Sequence, residues 1–121
     1  MHAPGKLSIL VVEDEPITRA WISRCFEEEG CSVLQASNGK AAVAYLRDGH
    51  IIDVVFTDIR LGEGLDGWDV AEEARRSRPA VRVVYASGNA TMPRREVTDS
   101  VFISKPYDSH AVLKACRKGP K

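Results

Sequence analysis

Five short apolar runs, at residues 7–12, 31–36, 51–57, 81–86 and 101–104, alternate with segments whose apolar residues recur at helical spacing. Short, nearly continuous apolar runs suit strands buried on both faces. Their alternation with helices implies one parallel sheet covered on both sides, joined by right-handed crossovers. The chain has 121 residues, 44% hydrophobic and 28% charged, enough to fold around one real core.

Local signals mark the helices. Pro16 suits a first helical position, Ile17, Trp21, Ile22, Cys25 and Phe26 then form one core-facing stripe, and Gly30 stops the helix. Ser37 and Asn38 can cap a second helix carrying Ala41, Ala42, Tyr45 and Leu46, which ends near Gly49. Asp66 can cap a third, with Trp68, Val70, Ala71 and Ala74, ending before Pro79. A last helix spans about 108–117, ahead of Gly119 and Pro120. Between Ser87 and Val101 the helical periodicity is poor, so at most a short, irregular helix is expected, over 94–99.

Composition excludes several classes. Seventeen basic and seventeen acidic residues cancel, giving no charge argument for nucleic acid or an anionic membrane. No apolar run approaches the roughly 20 residues that span a bilayer, and residues 1–6 lack a signal peptide's apolar stretch. Cys25, Cys31 and Cys116 form no CxxC pair, the usage of a reducing cytoplasm. His2, His50 and His110 have no zinc-like spacing with them, and no GxxxxGK[ST] or GxGxxG loop is present.

The chemistry gathers just past the strands, where parallel α/β sheets bind ligands. The first run delivers Glu13 and Asp14, the third Asp58, the fourth Ser87 and the fifth Lys105. Three carboxylates together demand a proton or a cation, and hard oxygen ligands in a small site suit Mg²⁺. A lysine ammonium and a hydroxyl opposite them match phosphate oxygens. Such a site can bind a phosphoryl group, either as a passing substrate or on a carboxylate nucleophile. Taken singly, the residues have plainer readings. Glu13, Asp14 and Glu15 could support a helix N-terminus, and Arg75, Arg76, Arg78 and Arg82 read as a solvated face. Trp21 and Trp68 read as helix packing, and Tyr107 as packing or a partner surface.

The ordered set Glu13-Asp14, Asp58, Asp66-Gly67, Ser87 and Lys105-Pro106 resembles the receiver domain of bacterial two-component response regulators, over about residues 6–117. The resemblance implies a single receiver domain over 1–121, a doubly wound, flavodoxin-like α/β fold with strand order 2-1-3-4-5, and a shortened or irregular fourth helix. It implies that Asp58 takes a phosphoryl group from a histidine kinase or phosphotransfer protein and then switches a surface for an unknown downstream protein. Asp14, Asp58 and the backbone carbonyl of Arg60 would contact Mg²⁺, with Glu13 helping through water. Lys105 and Ser87 would bind the phosphoryl group, and Lys105-Pro106 would be cis. Ser87 and Phe102 would move together as the switch, and Arg60 and Asn89 would tune hydrolysis of the acyl phosphate.

The sequence also departs from the pattern. Gly62 stands where many relatives have Pro, Asp66 falls one position late, the segment from Ser87 to Phe102 is short and contains Pro93, and Phe102 lacks a tyrosine hydroxyl. A receiver-like interaction module that works without phosphorylation keeps the same fold and is the alternative. A magnesium phosphohydrolase with an aspartyl nucleophile would want a second Asp two residues on, where this chain has Arg60.

Overall fold

The computed structural model describes residues 6–88 and 94–118. In chain order they form β1 (Ser8–Val12), α1 (Pro16–Glu28), β2 (Ser32–Ala36), α2 (Gly39–Arg47), β3 (Val54–Asp58), α3 (Gly67–Ser77), β4 (Arg82–Ser87), β5 (Ser100–Ser104) and α4 (Ser109–Lys118). The strands make one sheet in the order β2-β1-β3-β4-β5. Every neighbouring pair is parallel, as expected from the apolar runs and from the resemblance.

Two apolar layers sandwich the sheet. On one face Leu10, Val12, Val55, Val83 and Tyr85 meet Ala42 and Leu46 of α2 and Trp68, Ala71 and Ala74 of α3. On the other, Ile9, Val11, Phe56 and Val84 meet Ile22 and Phe26 of α1 and Val112 and Cys116 of α4. This is the period-2 alternation of strands whose two faces are both covered.

The helix starts follow capping chemistry. The Ala41 N–H donates to Asn38 Oδ1 at 2.8 Å, and the Thr18 N–H to Glu15 Oε1 at 2.6 Å ahead of Pro16. At α3 the cap is reciprocal: the Asp69 N–H donates to Asp66 Oδ1 and the Asp66 N–H to Asp69 Oδ2, each at 3.0 Å. Gly30, with φ +88°, closes α1 in the left-handed conformation that a glycine adopts without penalty.

Two expectations are corrected. First, Ile17 and Trp21 do not join the core stripe of α1; Ile17 is 78% exposed and Trp21 43%. Ile22 and Phe26 form the buried row, and Ile17 and Trp21 lie on a parallel row displaced by about 100° around the helix. Second, three of the four arginines expected on a solvated face instead satisfy distant carbonyls. Arg78 donates to Leu46 O and His50 O, closing the end of α2. Arg82 donates to Cys116 O and Arg117 O at the end of α4, and Arg75 to Thr98 O. These carbonyls at helix ends and in a turn would otherwise lack a protein donor.

Residues 94–99, where at most a short, irregular helix was expected, form no helix. Val97 is their one apolar side chain, so there is no stripe to bury, and Asp99 takes φ 54°, which ends any helical course. The segment is pinned in another way. The Val97 N–H donates to the hydroxyl of fully buried Tyr85 at 3.0 Å, and Ser100 Oγ to Val97 O at 2.7 Å. Tyr85 lies 4.8 Å from Trp68 between ring centroids, and Val97 and Phe102 pack against the same core. Bulky aromatics thus fill the layer beneath residues 94–99, which present no helical face.

Gly67 begins α3 against the backbone of β3. A Cβ there would collide with the Asp58 carbonyl oxygen and stand 2.8 Å from Ile59 Cα, while the Gly67 N–H donates to Ile59 O at 2.7 Å. Gly67→Ala should therefore lower unfolding free energy by about 2–3 kcal/mol in denaturant titrations, because backbone has to move; an unchanged midpoint would contradict this packing. A second expectation concerns acid. The Asp66 N–H, helped by Arg95, holds the Asp69 carboxyl below its ordinary range. Below about pH 4 the unfolded chain takes up the proton first, so this stabilisation is present above that pH and lost as pH falls through the depressed native value. Asp69→Asn should flatten the dependence of stability on pH in that acid window; an unaltered slope would count against the cap.

Candidate functional site

The strand order places β1 beside β3 while β2 turns back on the other side, so the crossovers diverge between β1 and β3 at the carboxyl edge of the sheet. Glu13 and Asp14 leave β1 there. Asp58 and Ser87 are the last residues of β3 and β4, and Lys105 follows β5. Pairing of Val12 with Thr57, and of Asp58 with Ala86, brings these ends level. The Lys105 N–H donates to Ser87 O at 2.9 Å, which ties the fifth strand end to the fourth.

Oxygens of Glu13, Asp14 and Asp58 lie within 4.8 Å of one another. Lys105 Nζ donates to Asp58 Oδ2 at 3.0 Å and to Glu13 Oε1 at 3.3 Å. Glu13 is only 4% exposed and is held on every side. Its second carboxylate oxygen accepts the Glu15 N–H at 3.1 Å, its N–H donates to Ala36 O, and its carbonyl accepts from Arg19 Nη1 at 2.8 Å. Burial raises the Glu13 pKa, and the Asp58 charge adds to this, against the opposing Glu15 N–H and Lys105. Burial by itself would lower the Lys105 pKa, but the hydrogen bond and charge of Asp58, with Glu13, outweigh it and the ammonium is strengthened.

The donor set fits a small hard cation: three carboxylates from two adjacent strand ends, one of them buried and charged enough to require a counter-charge. Lys105 supplies one positive charge against three negative ones, so a divalent ion is electrostatically complementary. Ser87 is buried at the same edge, with 5% exposure. The Lys105-Pro106 bond is cis, as the resemblance implied.

The remaining sequence candidates lie further out. Arg60 is exposed and lines a cavity of about 530 Å³ with Gly62, Gly64, Trp68 and Arg95. Phe102 sits on β5 opposite Tyr85, under the Arg94 guanidinium at 4.2 Å from the ring centroid. Asn89 lies outside the described residues.

Sequence reasoning missed one contributor. Arg19 turns back from the first turns of α1 to fix the Glu13 carbonyl; its position one turn past a helix start was the available signal. Tyr107, read from the sequence as packing or a partner surface, packs its ring 6.0 Å from Trp21 and 5.7 Å from Phe56 and also lines the cavity beside Lys105. Its hydroxyl is buried with no hydrogen-bond partner among the described residues, and burial, followed by the Glu13 charge, pushes its pKa up to about 12.

Comparison with known proteins agrees with this geometry. The family model described as response regulator receiver domain matches residues 9–117. The chain is 35% identical over 135 residues to the transcriptional regulatory protein TcrA of Mycobacterium tuberculosis, covering 98% of this chain and 51% of TcrA. It therefore spans about half the length of that relative. A response regulator receiver protein from Sinorhizobium medicae WSM419 superposes with a TM-score of 0.88 at 34% identity, over 94% of each chain. The receiver domain of the hybrid histidine kinase CckA superposes with a TM-score of 0.75 at 28% identity, over 88% of this chain and 93% of that one. With a parallel sheet in the order 2-1-3-4-5 and an acidic cluster facing a lysine at its carboxyl edge, the chain belongs to the family of response regulator receiver domains.

Proposed function

We propose that this domain is a phosphorelay receiver: Asp58 accepts a phosphoryl group from the phosphohistidine of a kinase or phosphotransfer protein, and the acyl phosphate then alters a surface read by a downstream protein. The observation that carries this reading is the Asp58 carboxylate, which ends its strand within 3.0 Å of an ammonium and within 4.8 Å of two further carboxylates.

In the transfer, an Asp58 carboxylate oxygen forms the new bond to phosphorus as the bond from phosphorus to the donor imidazole nitrogen breaks, and the imidazole regains a proton from solvent. Glu13, Asp14 and Asp58 would hold Mg²⁺, with the backbone carbonyl of Arg60 as a further oxygen donor. Bound there, the ion would offset the charge that gathers on the phosphoryl oxygens. Lys105, already aimed at Asp58 Oδ2, would follow the transferred group and neutralise one of its oxygens. Glu13, fixed by Lys105, Glu15 and Arg19, keeps the opposite wall rigid. The Ser87 hydroxyl would donate to a second phosphoryl oxygen. Phe102 would respond by a packing change, which its partly buried position beneath Arg94 permits. Arg60 and Asn89 would set access of the hydrolytic water.

The surroundings suit a protein donor. A cavity of about 400 Å³ lined by Thr18, Trp21, Lys105, Pro106 and Tyr107 adjoins the site, and the exposed Ile17 lies on the same helix. An apolar rim beside a charged nucleophile lets an incoming partner exclude water where the charge moves.

Incubation with Mg²⁺ and acetyl phosphate should add one phosphoryl group to the intact mass. Asp58→Asn and chelation of the metal should each abolish it, and Lys105→Ala should slow it by on the order of 100-fold. A mass that stays unchanged with acetyl phosphate and with phosphohistidine donors would overturn the reading and favour an interaction module that works without phosphorylation.

A further inference from the structure

Away from the Asp58 site, Arg95 faces a second group of three carboxylates. Its Nη2 lies 3.2 Å from Asp69 Oδ1 and 3.1 Å from both Glu72 carboxylate oxygens, and its Nη1 lies 3.9 Å from Asp66 Oδ2. Asp66, Asp69 and Glu72 recur every third residue along the first turns of α3, and the proposed phosphoryl transfer uses none of these ion pairs. Exposed ion pairs by themselves contribute little stability. What distinguishes this one is what stands at each end of it.

At one end, Asp69 closes the cap of α3 on Asp66. The next residue, Gly67, is pressed so closely on the Asp58 carbonyl that no side chain fits between. A shift of the Asp58 backbone therefore displaces the start of α3. At the other end, Arg94 covers the Phe102 ring and is held there by Glu96, with Nη2 to Oε2 at 2.6 Å, while Val97 hangs on the Tyr85 hydroxyl. Arg95 is a side-chain bridge between these two assemblies, and Arg75, further along α3, makes another to Thr98 O. A planar guanidinium seated on a carboxylate pair is a discrete contact, made or broken, unlike a flexible lysine.

We infer that Arg95 is a latch between the start of α3 and the crossover, so that the covalent state of Asp58 reaches Phe102 through the Asp66–Asp69 cap and the Arg94–Arg95 pair. This inference rests on the phosphoreceiver reading and adds the route by which that site controls its surface. The covering of Phe102 by Arg94 makes residues 94–99 the responding surface.

Linkage makes the latch measurable at a distance. Arg95 does not touch Asp58, yet if the two are coupled, removing the latch has to alter binding at Asp58 by the same factor as Asp58 alters the latch. The probe is beryllofluoride with Mg²⁺, a mimic of the acyl phosphate, followed by ¹⁹F NMR on the full chain. Arg95→Ala should change its apparent affinity by on the order of fivefold or more, and Arg95→Lys, which keeps the charge and loses the fork, by less. Arg76→Ala, which removes a surface pair with Glu73 on the same helix, should leave it unchanged. In the parent chain, binding should also change hydrogen exchange across 94–99, and this response should be lost in Arg95→Ala. Equal affinities for parent and Arg95→Ala, or an unchanged response at 94–99, would overturn the latch while leaving the receiver reading intact. Failure of the parent to bind beryllofluoride would overturn the receiver reading and this inference with it.

Discussion

The Lys105 ammonium, wedged between the carboxylates of Asp58 and Glu13, is the contact on which the rest of the site depends. Three carboxylates within 4.8 Å repel one another, and each close pair costs roughly 4 kcal/mol at the effective dielectric of a protein surface. A proton or positive charge is needed to keep such a cluster together. The fold is arranged to supply it from far along the sequence, since Lys105 and Glu13 are 92 residues apart. A parallel sheet does this naturally, because every strand discharges its next residue at the same edge.

Strands and site residues could be read from the amino-acid sequence for related reasons. Buried parallel strands are nearly pure apolar runs, so residues 7–12 and 81–86 announce themselves, and the polar residue after each run falls at the shared edge. Asp58, Asp14, Ser87 and Lys105 followed from that rule. The burial of Glu13 and its contact with Lys105 were not read from the sequence. Nothing local reveals that contact, because it depends on how two strand ends far apart in sequence are levelled by the pairing of β3 and β4 with their neighbours.

The misread parts share another cause. Ile17 and Trp21 are apolar at helical spacing, but the spacing fits a row one residue's rotation away from the buried one. Arg78 and Arg82 look like surface charge until the carbonyls of Leu46, His50 and Cys116 are brought to them by folding. Residues 94–99 lack a helical stripe, and an irregular helix was the nearest familiar form. The structure shows an irregular segment ending in a turn, tied by Tyr85, Arg75 and Arg95. The aromatic pair Trp68 and Tyr85 supplies the volume beneath it, so the departure in length and the choice of aromatics belong to one solution.

The central claim is that Asp58, alone among the clustered acids, carries the phosphoryl group, with Lys105 as its counter-charge. A crystal structure of the chain with Mg²⁺ and beryllofluoride tests it most directly. The account predicts the beryllium on an Asp58 carboxylate oxygen, Lys105 Nζ within hydrogen-bond distance of a fluorine, and the metal between Asp14 and Asp58. Beryllium on Glu13 or Asp14, or a Lys105 turned away from the bound group, would contradict it.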